Sequence, residues 1–176
     1  MRQHSYASGT GSAAALLGHP LHPVIVPLPI GAVIGTFICD VAFAYTGQEG
    51  WAVAASWMLL VALVAGAVAA FFGLVEFASI SRARSMGIAW AHGAANVVLL
   101  ALLLVSYILR RGDPVAGAWP VGITFSSVAF VLVLVSGWLG GELAFRHGVG
   151  VDRAVGRGEA GSLEKAPSGR DDIGLS

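Results

Sequence analysis

Residues 97–107 read VVLLALLLVSY, and every face of a helix built from them is apolar. A helix at the surface of a soluble protein carries polar residues on its outward face. This segment has no such face, which argues against a soluble all-α protein and favours a helix surrounded by lipid. The uncharged run around it covers residues 86–109, which is enough for the roughly 20 residues that cross a bilayer core as a helix.

The charged residues of the chain are few and clustered. They make up 11% of the 176 residues, against about 25% in a typical soluble domain. Three further long apolar segments remain, each with a single charged residue. We therefore predict an all-α integral membrane protein, a four-transmembrane-helix bundle. The predicted spans lie at about 29–46, 51–79, 87–109 and 121–146.

The two ends of the chain differ from this membrane domain, which we place at residues 18–147. Residues 1–17 are rich in Ser, Gly and Ala and are predicted to be flexible, and their apolar run is too short for a signal peptide. Residues 148–176 are polar and glycine-rich and are predicted to form a disordered cytoplasmic tail. No internal repeat and no second domain is evident. The single cysteine excludes an intrachain disulfide, and the zero net charge gives no reason to expect nucleic acid as a partner.

Arginines near the spans favour an orientation with both termini in the cytoplasm. In a four-span protein the N-terminus, the second loop and the C-terminus share one side of the membrane. That side holds Arg82, Arg84, Arg146, Arg153 and Arg157, whereas the other side holds Arg110 and Arg111. Because loops enriched in Lys and Arg stay in the cytoplasm, we predict a multi-pass protein of the bacterial inner membrane with cytoplasmic termini.

This orientation places most of the membrane-embedded polar side chains at the cytoplasmic end of the bundle, in what we call the His/Glu layer. Polar groups at membrane depth are costly and usually face a partner inside the bundle. Asp40 lies toward the opposite face. The candidate ligands of the layer are His19, His22, His92 and His147, and its supporting polar residues are Glu76, Asn96 and Glu142.

Each of these residues also has a purely structural interpretation. Glu142 and Arg146 have the i,i+4 spacing of an ion pair on a helix surface. His147 could interact with the dipole at a helix C-terminus. Glu76 could extend toward Arg82, or accept a hydrogen bond from His92. The sequence leaves these alternatives open.

The first span is preceded by a proline-rich entry segment, GHPLHPVIVPLPIG at residues 18–31. Residues that precede proline are disfavoured in helical geometry, and proline is tolerated in the first turn of a helix. We therefore predict a regular helix from about Pro29, with residues 24–28 apolar but non-helical. Because non-helical backbone at membrane depth requires cover by protein, residues 19–28 are expected to fold against the bundle beside His92.

Three functions from different classes fit a layer of imidazoles. Histidines from facing elements are suited to the axial coordination of b-type haem, in an electron-transfer or accessory role. Three or four His and Glu ligands would instead bind a transition metal ion. The alternative is a structural or assembly subunit in which the layer is a hydrogen-bonded polar core. Enzyme motifs such as HExxH, GxSxG and the Walker loop are absent, and one interrupted helix is weak support for a transporter of a small solute or metal.

Three segments together resemble a family of bacterial predicted membrane proteins known as domain of unknown function 2231. They are the entry segment, AHGAAN at 91–96 and GWLGGELAFRHGVGV at 137–151. The resemblance covers roughly residues 16–151 and implies a four-span architecture without an assigned activity. It places His147 inside the closing motif and so favours a site role for that residue.

The resemblance also suggests a redox setting. Some chains with a similar domain carry a Rieske iron–sulfur domain, and no Rieske Cys/His pattern occurs in this sequence. A Rieske-type partner would therefore be a separate protein. Homo-oligomerisation is left open.

Overall fold

Four long helices dominate the structure, a computed structural model that describes residues 15–16 and 19–149, with side chains from residue 21 onward. Each is long and apolar enough to cross a membrane. The predicted all-α, four-helix membrane fold is therefore confirmed. The first, second, third and fourth spans comprise Leu21–Thr46, Glu49–Ser79, Gly87–Arg110 and Pro114–Arg146.

In these spans and the connections between them, the described residues form seven α-helices and two short π-helical segments. The segment Ala118–Gly122 joins α6 to α7, and Glu142–Arg146 continues α7. In chain order the α-helices are α1 (Leu21–Ile25), α2 (Pro27–Thr46), α3 (Glu49–Ser79), α4 (Ser81–Arg84), α5 (Gly87–Arg110), α6 (Pro114–Gly117) and α7 (Ile123–Gly141).

The entry segment differs from its prediction. A two-residue strand pair, β1 (Ala15–Leu16) and β2 (His19–Pro20), precedes α1. The predicted non-helical stretch at 24–28 is wrong, because α1 and α2 meet at Val26, which has helical dihedral angles (φ −51°, ψ −37°). Pro23 lies in the first turn of α1, and Pro27 and Pro29 lie in the first turn of α2. Backbone N–H groups in a first turn have no acceptor within the helix, so the N–H that proline lacks costs no helical hydrogen bond there.

Short connections join the long helices. At the end of α2, Gly47 adopts a left-handed conformation (φ 66°) that favours glycine, and its N–H donates to the carbonyl of Phe43. The side chain of Asp113 accepts from two backbone N–H groups at the start of α6, at 2.9 and 3.0 Å. Of the predicted end segments, 1–17 and 148–176, nearly all residues lie outside the described part of the chain.

The long helices form a ring in which α2 and α5 each pack against both α3 and α7. The core of the ring is apolar, and small residues in the helices allow them to approach each other closely. At Gly66 on α3, for example, a Cβ would lie 2.9 Å from Leu100 Cδ2. The core residues are Ala32, Val33, Leu59, Ala62, Leu99, Leu103, Ala129 and Val133.

The outer surface of the ring is also apolar. Large side chains such as Val97, Trp138 and Phe145 are 68%, 74% and 89% exposed. A soluble protein rarely exposes a continuous apolar surface of this extent, whereas lipid covers it at no cost. The surface is therefore consistent with a lipid bilayer environment.

Candidate functional site: the His22–His92 pair

His22 lies in the first turn of the first span and is held by the second span. Its Nδ1 donates a hydrogen bond to the carbonyl of Ala69 at 2.8 Å. The ring packs on Gly73, one turn further along α3, where a Cβ would lie 2.9 Å from Nδ1 and 3.0 Å from Cε1. The glycine therefore makes the space that the imidazole occupies.

His92 has the same environment on the other side of the bundle. Its Nδ1 lies 3.0 Å from the carbonyl of Ser136 on α7 and 3.3 Å from the hydroxyl of the same residue. The ring packs on Gly140, one turn further along α7, where a Cβ would lie 3.1 Å from Cε1. Each histidine is thus held by a carbonyl and a glycine of the membrane span that follows its own in the chain.

The two imidazoles face each other. Their ring centroids are 6.3 Å apart and the ring planes cross at 83°. Both side chains are half-buried. The structure therefore brings together two of the four predicted histidines, one from each half of the bundle.

The backbone carbonyls determine which ring nitrogen carries the proton. A carbonyl oxygen can only accept, so Nδ1 of both histidines must be protonated. In a neutral imidazole the lone pair is then on Nε2. Histidines that bind metals characteristically donate their other ring N–H to a backbone carbonyl or a carboxylate in this way.

Asn96 is the further polar residue at the pair. Its Nδ2 donates to the carbonyl of His92 at 2.9 Å. The same nitrogen lies 3.2 Å from Nε2 and 3.4 Å from Nδ1 of that ring. Because the two distances are nearly equal, the amide nitrogen lies over the face of the His92 ring and not along the Nε2 lone pair.

The other predicted site residues lie in different settings. The side chain of His19 lies outside the described residues, and His147 directly follows the fourth span. Glu142 is paired with Arg146 at 2.8 Å on an exposed surface, as its structural interpretation predicts. Glu76 is buried near the end of α3. Within the described residues, no three His, Cys, Asp or Glu side chains come close enough to hold a metal ion.

The structure also contains an ion pair that the sequence analysis missed. Arg110 and Asp40 form a bidentate pair at 2.6 and 2.7 Å, and each residue is 1% exposed. Arg110 was assigned to a loop, but it ends α5 inside the bundle. A signal was present, because an aspartate within an apolar span requires a partner.

The donor atoms of His22 and His92 can be compared with the protein ligands that each proposed cofactor requires. A transition metal ion held by the protein alone usually takes three or four ligands, and this donor set offers two. A haem iron takes four ligands from the porphyrin and needs two from the protein. With bonds of about 2 Å to each nitrogen, two imidazoles on one metal atom have ring centres about 6 Å apart, which is close to the 6.3 Å between the ring centroids of His22 and His92.

The fold and the outer surface define a polytopic, all-α membrane protein. The family model described as predicted membrane protein (DUF2231) matches residues 18–153. The chain therefore belongs to this family, as its motifs suggest. The comparisons with curated proteins and with solved structures found no significant match.

Proposed function

We propose that this protein is a b-type haem protein of the bacterial inner membrane, in which His22 and His92 would hold the haem iron. One observation carries the proposal: two neighbouring imidazoles, each fixed through Nδ1 to a backbone carbonyl, so that Nε2 of each would be the nitrogen that binds iron. The haem would supply one-electron redox chemistry. The role would be electron transfer or an accessory function beside an electron-transfer protein.

The residues around the pair each have a part in this proposal. Gly73 and Gly140 allow the imidazoles to pack against the second and fourth spans. The amide of Asn96 lies over the His92 ring and donates to the His92 carbonyl, so that it would hold the ring in position. His19, Glu76, Glu142 and His147 are given no ligand role, since the observed contacts concern the other two histidines.

The orientation in the membrane is also a proposal, and the structure changes the arginine count on which it rests. Arg110 is neutralised by Asp40 inside the bundle, so Arg111 is the remaining arginine near the spans on that side. The arginine bias in favour of cytoplasmic termini is therefore larger than the count of loop residues indicates. The His22–His92 pair would then lie near the cytoplasmic surface, where a separate Rieske-type protein could exchange electrons with it.

A structural subunit is the second candidate function, and one observation favours it. Both Nδ1 atoms already have hydrogen-bond partners within the protein. Such a network can serve as a polar layer that fixes the helices relative to one another. The two candidates differ in whether a cofactor copurifies.

The test is an absorbance spectrum and metal analysis of the full chain purified in detergent after expression with a haem precursor. We expect a Soret band, with about one haem and one iron per chain, and no stoichiometric zinc or copper. His92→Ala should lose the haem, whereas His147→Ala should retain it. A wild-type protein without a Soret band after haem supplementation would contradict haem binding and favour the structural subunit.

A further inference from the structure

The two halves of the bundle repeat one pattern of buried positions, although no internal repeat is evident in the sequence. Asp40 and Arg110 are 70 residues apart, and the same interval separates His22 from His92. It also separates further buried residues of the first and third spans. These further pairs are Val33 with Leu103 and Thr36 with Ser106.

The second and fourth spans repeat the same pattern, at a sequence separation slightly shorter than that between the first and third spans. Ala69 and Ser136, whose carbonyls accept from the two histidines, are separated by this interval, and so are Gly73 and Gly140. The interval also relates buried positions along both helices. These are Ala55 with Gly122, Leu59 with Ser126, Ala62 with Ala129, and Glu76 with Leu143.

Each half is therefore one helical hairpin, and the two hairpins pack as pseudo-equivalent partners. Equivalent residues touch each other only where they lie next to the axis that relates the two halves. His22 contacts His92 at one end of the bundle, and Asp40 contacts Arg110 toward the other. These two contacts place the pseudo-two-fold axis along the length of the bundle.

We propose that Asp40 and Arg110 determine how the two hairpins pair. At equivalent positions beside the axis, two aspartates or two arginines would bury like charges, and opposite charges are required instead. Each hairpin thus fits a partner that presents the opposite charge at the same depth, which is the other hairpin of the same chain. The pair also fixes the register that brings the two imidazoles together.

The surroundings of Arg110 differ from those of Asp40 in a way that supports this assignment. A Cβ on Gly122 would lie 2.6 Å from Nη2 of Arg110, and a Cβ on Gly117 would lie 2.9 Å from its Cα. The position equivalent to Gly122 in the first hairpin is Ala55. Glycine in the second hairpin therefore leaves space for the guanidinium of Arg110. The first hairpin, which carries Asp40, has alanine at the equivalent position.

Exchange of the two charges in the full chain tests the proposal. Asp40→Arg and Arg110→Asp alone should each lower the yield of monodisperse protein in detergent by roughly tenfold or more, because each buries like charges. The double exchange combined with Ala55→Gly should restore most of this yield, and should restore more than the double exchange alone. An exchange with Ala55→Gly that is no better than the single reversals would contradict the equivalence of the two positions.

A second variant separates pairing from stability. With Asp40→Leu and Arg110→Leu together, the hairpins lose the requirement for opposite charges without burying an unpaired one. We expect this chain to associate further than the wild type, through exchange of hairpins between two copies, detected by light scattering in detergent. A variant with the same oligomeric state as the wild type would overturn the pairing role. Neither readout depends on haem.

Discussion

The contacts of His92 show how much of the site could be predicted from its residue type. A histidine followed one turn later by Asn96, in an otherwise apolar helix, predicts a polar contact inside the bundle. The actual partner is the backbone carbonyl of Ser136, and the partner of His22 is the carbonyl of Ala69. Every residue has a carbonyl, so no residue type in the sequence identifies these acceptors.

Asn96 provides a prediction at the scale of a single residue. Because its amide lies over the His92 ring and donates to the His92 carbonyl, Asn96→Leu removes a polar contact that holds the ring in position. A neutral hydrogen bond contributes about 0.5–1.5 kcal/mol net, so haem affinity should fall several-fold. Titration of the haem-free variant and wild type with haem, followed at the Soret band, measures this change. Equal or tighter haem binding by the variant would mean that Asn96 does not position the ring.

At the scale of elements, the positions of the helices were more predictable than their ends. The sequence predicts an extended entry segment because residues before proline avoid helical angles, yet three of its four prolines occupy the first turns of α1 and α2. Arg110 was assigned to a loop because a charge near a span boundary usually lies outside the membrane. Its partner Asp40 is on a different helix, and local sequence cannot show that contact.

The packing of α1 against α3 leads to a prediction for Gly73. In Gly73→Ala the new methyl group would displace the His22 ring from the carbonyl of Ala69, since the Cβ would lie 2.9 Å from Nδ1. Overpacking of this kind costs about 1–3 kcal/mol, so the thermal midpoint in detergent should fall. Gly31→Ala is the matched control, because no described atom lies within 4 Å of a Cβ at that position. Equal midpoints for the two variants would contradict the role of Gly73.

At the scale of the whole molecule, composition alone was sufficient to predict a four-helix membrane bundle. Lipid covers apolar surface on all sides, so the scarcity of charge is itself evidence of the environment. The repeated hairpin was not visible in the sequence for the same reason. Lipid-facing positions accept any apolar residue, and equivalence persists mainly at buried positions such as Thr36 and Ser106.

The orientation of the bundle in the membrane gives a prediction for two loops. With Cys39→Ser as background, single cysteines are introduced by Ser85→Cys and by Gly112→Cys. If both termini are cytoplasmic, a membrane-impermeant maleimide added to intact cells should label the second variant and not the first. After permeabilisation both should be labelled. Labelling of Ser85→Cys alone in intact cells would invert the topology.

The most direct test of the central proposal is rescue of the His22–His92 pair by external imidazole. In His22→Gly and His92→Gly, the haem should lose one axial ligand, and added imidazole should restore the wild-type visible spectrum in each. His147→Gly is the control and should have that spectrum without imidazole. The proposal predicts rescue in both variants. Retention of the wild-type haem spectrum by both glycine variants in the absence of imidazole would contradict it.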